Sequence, residues 1–275
     1  MKNKKVLTIV SVLLLTAVLL TSCGKGKDKP ADPAAPVTIK IGASSTPHAE
    51  ILEYIKPTLA AQNITLEIVV FDDYVLPNTG VEDGSLDVNY FQHRPYLAQQ
   101  NDERKLHLVE VAGIHLEPLG IYPGKTASLA DIKDGATIAV PNDGSNEARA
   151  LFLLEKLGLI TLPESKAGDY NITAKDIQDN PHNIKIQELV AENIPQALPD
   201  VDFAVINGNY ALAANLSDKV LERESPENNP YVNIIVVKEG NQDKPEIKAL
   251  AEALKSADVK KFIDDKYKGA VIAAF

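Results

Sequence analysis

The chain has 275 residues, a formal net charge of −10, a single cysteine and no tryptophan. The acidic balance argues against nucleic acid and against broad contact with anionic lipid. One cysteine excludes an intramolecular disulfide, and the length allows one large domain or two lobes.

The N-terminal stretch "MKNKKVLTIVSVLLLTAVLLTSCG" opens with Lys2, Lys4 and Lys5 and continues into an apolar run from Val6 to Leu20. That run is short for a membrane span of roughly 20 residues and has the charged start of a secretory signal. Leu20-Thr21-Ser22-Cys23 is similar to a bacterial lipobox, in which cleavage before the cysteine leaves a diacylglycerol-bearing N-terminus. The sequence therefore predicts a signal peptide over 1–22 and lipidation at Cys23. Removing 1–22 takes away three lysines and no acids, which moves the charge from −10 to −13. Residues 23–36 hold the lipidated cysteine and a tether. "GKGKDKPADPAAP" is rich in Pro, Ala, Gly and charge and cannot bury enough apolar surface to offset its ordering entropy.

Short apolar runs then alternate with segments of helical spacing. "VTIKIGA" reads as a strand. "HAEILEYIKPTLAAQ" reads as a helix with Ile51, Leu52, Ile55 and Leu59 on one side, which Pro57 should kink or shorten. "ITLEIVVF" and "GSLDVNYF" read as strands, "PYLAQQNDERK" as a helix and "LHLVEVAGI" as a strand. After Leu119 the pattern restarts. "ATIAV" is a buried strand, "EARALFLLEKLGL" a helix stopped at Gly158, "NIKIQEL" a strand, "ENIPQAL" a short helix, "DFAVIN" a strand and "YALAANL" a helix. "YVNIIVVK" is the last strand, followed by two helices, "KPEIKALAEALKS" and "ADVKKFIDDKY". Such alternation predicts parallel sheets covered on both faces. The restart predicts two α/β lobes: residues 37–118 with 230–275, and residues 119–229.

Ligands of open α/β sheets bind beyond the carboxyl ends of strands. Tyr74, Phe91, His93, the "PNDGSN" loop and Asn207 all fall at predicted strand ends. In "AVPNDGSNEAR", Asp143 or Ser145 can cap the next helix, whose N-terminus offers free N–H groups. Arg149 lies near its first turn and can grip a carboxylate with two parallel hydrogen bonds, or pair at the surface with Glu147 or Glu155. The carbonyl oxygens of Asn146, Asn207 and Asn233 can accept from an ammonium group. Tyr74, Phe91 and His93 can serve as core, metal site or pocket wall. His48, His93, His107, His115 and His182 form no close pair, so no metal site is expected, and no cofactor. No G-x-S-x-G, H-E-x-x-H or P-loop occurs, so no enzyme is expected.

The lipobox, "PHAEIL", "FDDYVLPN", "FQHRPYL", "VPNDGSNEARAL", "VDFAVINGNYA", "NPYVNIIV" and "GAVIAAF" occur in this order along the chain. Together they resemble the NlpA-type lipoprotein family, the methionine-binding proteins of bacterial methionine ABC importers. The resemblance implies a type II periplasmic-binding-protein-like fold, two α/β lobes with a ligand cleft between them. It implies methionine as ligand, an ABC permease with its ATPase subunits as partners, and a lipid anchor in the cell membrane facing the extracytoplasmic side. It carries ligand contacts onto Tyr74, Phe91, His93, Asn146, Arg149, Asn207 and Asn233, with Arg149 on the carboxylate and Asn207 and Asn233 on the head group. Asn229 is a weaker candidate. Two departures are Ala148, where the family usually has glycine, and Gly144, where it often has proline; the Ala148 methyl is expected to crowd the ligand. Alternatives are another apolar amino acid or a Met-containing dipeptide in the same fold, and a metal-binding lipoprotein.

Overall fold

The computed structural model describes residues 35–275; the expected signal segment, Cys23 and the tether through residue 34 lie outside the described residues. Apolar alternation places Ile39, Ile41 and Ala43 of β1 (Val37–Ser44) on a buried face. A turn leads into α1 (Glu50–Ala60), which buries Ile51, Leu52, Ile55 and Leu59 and passes Pro57 to end three residues later. Then come β2 (Ile64–Phe71), α2 (Leu76–Asp83), β3 (Val88–His93), α3 (Arg94–Arg104) and β4 (Leu108–Leu116). Next are β5 (Gly120–Pro123), β6 (Thr137–Pro141), α4 (Gly144–Lys156), β7 (Lys185–Leu189), α5 (Ile194–Ala197), β8 (Phe203–Ile206), α6 (Gly208–Ala213) and β9 (Glu222–Arg223). The chain closes with β10 (Val232–Lys238), α7 (Pro245–Leu254), α8 (Ala257–Tyr267) and β11 (Ile272–Ala273).

The strands form two sheets, in the orders β11-β4-β10-β3-β1-β2 and β7-β6-β8-β5-β9. Neither is purely parallel, which corrects the expectation of parallel sheets. β10 runs antiparallel to β3 and β4, and β5 antiparallel to β8 and β9. The reason lies in the connections. The chain leaves the first sheet after β4 and re-enters it at β10, so β10 is not reached by a right-handed helical crossover, the link that makes neighbours parallel.

α2 was not expected, because "LPNTGVED" has turn composition. Local chemistry makes it a helix: the Asp73 carboxylate accepts from the N–H groups of Val75 and Leu76 at 2.7 and 2.8 Å. Pro77 sits in its first turn, and Gly84 ends it in the left-handed region at φ 82°. The short edge strands β5, β9 and β11 were also unforeseen, being too brief to show a period.

Each sheet is covered on both faces. In the first, α1, α7 and α8 bring Leu52, Leu250, Leu254 and Ile263 onto Ile41 and Tyr90, while α2 and α3 bring Val81 and Leu97 onto Ile234 and Val236. In the second, α4 brings Leu151 and Leu154 onto Phe203 and Val205, while α5 and α6 bring Ile194 and Ala211 onto Ala204 and Ile206. Full burial of one such side chain contributes about 1.5–3 kcal/mol. Two segments pass between the sheets: residues 117–119, from β4 to β5, and residues 224–231, from β9 to β10. Among the described residues no helix is long and apolar enough to cross a membrane.

Candidate ligand-binding site

β3 and β8 end at one cavity, and β6 leads through its loop to the same place. The cavity, whose roughly 330 Å³ of free space includes its opening to solvent, is lined by Tyr74, Phe91, Gln92, His93, Tyr96, Glu117, Asn146, Arg149, Asn207, Gly208, Asn209 and Asn233. All seven residues that the sequence singled out for ligand contact are therefore brought together. Asn233 arrives differently from the others. It lies near the start of β10, opposite His93, because an antiparallel strand presents its amino end where its neighbours present their carboxyl ends.

One end of the cavity is aromatic. The rings of Tyr74, Phe91 and Tyr96 lie 5.8–6.0 Å apart, centroid to centroid. The Tyr96 hydroxyl donates to the Tyr74 carbonyl at 3.0 Å, and the Tyr74 hydroxyl donates to Asn209 Oδ1 at 2.6 Å. The aromatic wall of the first sheet is thereby tied to α6 of the second.

The other end is polar and ordered by shared donors. His93 Nδ1 accepts from the Tyr96 N–H at 3.1 Å, so its Nε2 carries the proton and donates to Asn146 Oδ1 at 3.0 Å. Burial, helped by the Arg149 charge, pulls the His93 pKa down to about 3 and keeps the ring neutral. Asn146 Oδ1 also accepts from Asn207 Nδ2 at 2.8 Å, and Asn146 Nδ2 donates to Asp143, the N-cap of α4, at 2.8 Å. Asn233 Oδ1 faces His48 Nε2 at 3.0 Å. Asn146 Oδ1 thus has two protein donors and Asn233 Oδ1 one, which leaves Asn233 Oδ1 a second lone pair. Asn207 Oδ1 alone of the three is buried without a partner.

Arg149 is 3% exposed and pairs with neither Glu147 nor Glu155. Those two accept instead from the N–H groups of Ala174 and Leu162. The partner of Arg149 is Glu224: Nε lies 3.0 and 3.1 Å from its carboxylate oxygens, and Nη2 bonds it as well. Nη2 also donates to the Glu117 carbonyl at 2.8 Å, and the guanidinium lies 4.2 Å above the Tyr231 ring. Burial works against the charge, but Glu224 outweighs it and holds the Arg149 pKa above its ordinary value. The two-pronged edge that the sequence assigned to a ligand is therefore occupied. Nη1 makes no hydrogen bond among the described residues and remains available to the cavity. Glu117 and Glu224 lie on the two segments between the sheets, and Arg149 grips both.

The two departures behave differently from expectation. The Ala148 side chain is fully buried in the core beside β6 and β8 and does not line the cavity. Gly144 begins α4 against the Gln99 amide, which a Cβ there would strike. Asn229 holds its own loop by bonding Ser225 and Tyr231 and stays outside the cavity.

Sequence reasoning missed Gln92, Tyr96, Glu117, Gly208 and Asn209 of the lining, and Glu224 as the partner of Arg149. The one available signal was position: Glu117 and Glu224 flank the places where the pattern leaves and rejoins the first lobe. It also gave no reason to join His48 to His115. The fold places these two with Glu117 so that candidate donor atoms lie within 4.8 Å of one another, all buried. His93 stands apart from them in the cavity wall.

Known proteins resemble this chain along most of its length. The methionine-binding lipoprotein MetQ of Bacillus subtilis (strain 168) is 40% identical over 273 residues, covering 98% of each chain. The crystal structure of a lipoprotein from Ruminococcus gnavus ATCC 29149 superposes with a TM-score of 0.84 at 48% identity, covering 86% of this chain and 99% of that one. A nutrient-binding protein from Burkholderia cenocepacia, solved bound to methionine, gives a TM-score of 0.83 at 41% identity, covering 86% of this chain and all of the other. With the pattern of the NlpA lipoprotein family matching residues 39–275, nearly the whole described fold, the chain belongs to that family.

Proposed function

We propose that this protein is a lipid-anchored, extracytoplasmic binding protein that captures methionine and delivers it to the permease of an ABC importer. Capture occurs by closure of two lobes, residues 37–118 with 230–275 and residues 119–229, and involves no catalysis. The observation that carries the reading is the two-ended cavity. A guanidinium with a free Nη1 and an unpartnered amide carbonyl stand at one end, and three aromatic rings at the other. A free amino acid with an unbranched apolar side chain matches that arrangement. A thioether is favoured because its polarizable sulfur suits aromatic faces and edges. In this reading Arg149 meets the carboxylate through Nη1, Asn207 and Asn233 hold the head group, and Tyr74 and Phe91 hold the side chain. His93 and Asn146 keep the polar end in register. The relatives named for methionine support the choice of ligand, and the lipoprotein names of the family support the anchor at Cys23.

The test is a calorimetric panel on residues 24–275, unfolded and refolded to strip any carried ligand. L-Methionine should bind one to one at micromolar affinity or tighter, about −8 kcal/mol or better. A leucine or a Met-containing dipeptide binding more tightly than methionine would move the specificity while keeping the fold. Silence from folded protein across the panel would contradict the reading.

A further inference from the structure

The helices α3 and α4 cover different sheets, yet they meet at the N-terminus of α4. The first N–H groups of a helix have no partner inside it. In α4 the Asp143 side chain accepts from the N–H of Asn146 at 3.2 Å, and the Asp143 carbonyl accepts from the N–H of Glu147 at 2.7 Å. Ser145, just before them, is fully buried. Its N–H donates to Gln99 Oε1 of α3 at 2.9 Å, so a helix on the second sheet is served by a side chain from the first.

Gln99 is held in the orientation this requires. Its Nε2 donates to Glu103 Oε1, one turn further along α3, at 2.8 Å, which leaves Oε1 directed at α4. The approach also needs bare backbone. A Cβ on Gly144 would strike Gln99 Nε2 and lie 3.2 Å from its Cδ. Gly144 does not have a positive φ, so room and not conformation calls for glycine there. Neither Gln99 nor Ser145 lines the cavity, so no ligand contact competes for the bond. Its position matters all the same. α3 carries Tyr96 of the aromatic wall, and α4 carries Asn146 and Arg149 of the polar end.

Resting on the lobe-closure reading above, we propose that Gln99 is a positioning residue that acts as a closure latch. Its amide holds the N-terminus of α4, and with it Asn146 and Arg149, against the α3 side of the cavity. Gly144 supplies the clearance that admits it. The bond exists only with the two halves together; on opening, water takes its place at the Ser145 N–H. Because the latch touches no ligand, it governs how long a ligand is retained and not which ligand is chosen.

The experiment uses residues 24–275, which contain no cysteine. Two variants break the bond from opposite sides. Gln99→Leu removes the acceptor. Gly144→Ala displaces the flexible amide with its methyl and keeps a good helix former in α4. Radiolabelled methionine, chased with an excess of unlabelled methionine, should leave each variant roughly two- to tenfold faster than the wild type, as for loss of one neutral hydrogen bond. The association rate should not change, and norleucine should weaken by the same factor as methionine. The double variant should match either single one, because both changes break the same bond. Spin labels at Asp102→Cys and Lys156→Cys, both exposed positions, read the separation of α3 and α4 without any ligand, and long separations should gain population in both variants. An unchanged dissociation rate in both variants overturns the latch and leaves methionine binding intact, even if Gln99→Leu melts lower. Additive effects of the two changes, or a shifted ratio of methionine to norleucine, overturn it too, since Gln99 or Gly144 then acts by another route. If methionine does not bind at all, the label distances decide alone, and distributions identical to wild type overturn the latch.

Discussion

The Arg149–Glu224 pair allows stability and binding to be separated in one experiment. Both side chains are nearly out of water, at 3% and 12% exposure. Replacing Arg149 by methionine removes the cation and leaves the Glu224 carboxylate buried with only the Leu119 N–H to bond it. Breaking one side of such a pair costs about 3–5 kcal/mol, because an uncompensated charge remains. For a domain of this size each kcal/mol moves Tm by about 2–4 °C, so Arg149→Met should melt about 6–20 °C lower. Adding Glu224→Gln removes the stranded charge but keeps an oxygen for Leu119. The double variant should therefore recover most of the loss, since neutral groups of similar volume replace a buried pair at little cost. Methionine binding should not recover. Without the guanidinium the ligand carboxylate loses about 2–5 kcal/mol, roughly 30-fold to several-thousandfold in Kd. The assay is differential scanning calorimetry beside titration calorimetry on wild type, single and double variants. A double variant that binds methionine within threefold of wild type would refute the carboxylate role. A single variant that melts with the wild type would refute the buried-pair argument.

Other outcomes follow from the same geometry. Gly208→Ala places a methyl 2.6–2.7 Å from Glu117; the resulting overpacking should cost about 1–3 kcal/mol in chemical denaturation, and an unchanged midpoint would contradict the close approach. Tyr74→Phe removes one hydrogen bond to Asn209 and should weaken methionine binding by about 0.5–1.5 kcal/mol, well short of the Arg149 effect; equal losses would reverse the ranking. The rings of His48, His93 and His115, lowered from 6.5 to about 4, 3 and 3, should show no NMR titration between pH 8 and 5. Because their folded pKa values lie below the unfolded one, each contributes stability that is fully present above about pH 6.5 and lost as pH falls toward the folded value. A ring that titrates near 6.5 would show that it is not buried as described.

Much of the fold was legible because its signals are local. The strand-end residues Tyr74, Phe91, His93 and Asn207 could be grouped from strand pattern alone, since parallel α/β units gather their carboxyl ends. The antiparallel course of β10 was not legible, because "YVNIIVVK" carries the same apolar run in either direction. α2 was hidden by turn-forming residues that Asp73 caps into a helix. In the site, residue types were readable but their pairings were not. Arg149 has acidic neighbours along its own helix, yet its partner is Glu224, 75 positions away. Likewise, no spacing joins His48, His115 and Glu117; only the adjacency of β10 to β3 and β4 does. Asparagine carbonyls cannot be told apart in sequence, whereas in the fold those of Asn146 and Asn233 have protein donors and that of Asn207 has none.

The most direct test of the central claim is a crystal structure of residues 24–275 with selenomethionine as ligand. The chain contains a single methionine, Met1, which this portion lacks, so any selenium signal comes from the bound amino acid. An anomalous peak among the rings of Tyr74, Phe91 and Tyr96, with the carboxylate against Arg149 Nη1 and the amine beside Asn207 Oδ1, is the expected result. A peak outside that cavity, or a ligand lying with its amine toward Arg149, would contradict the account.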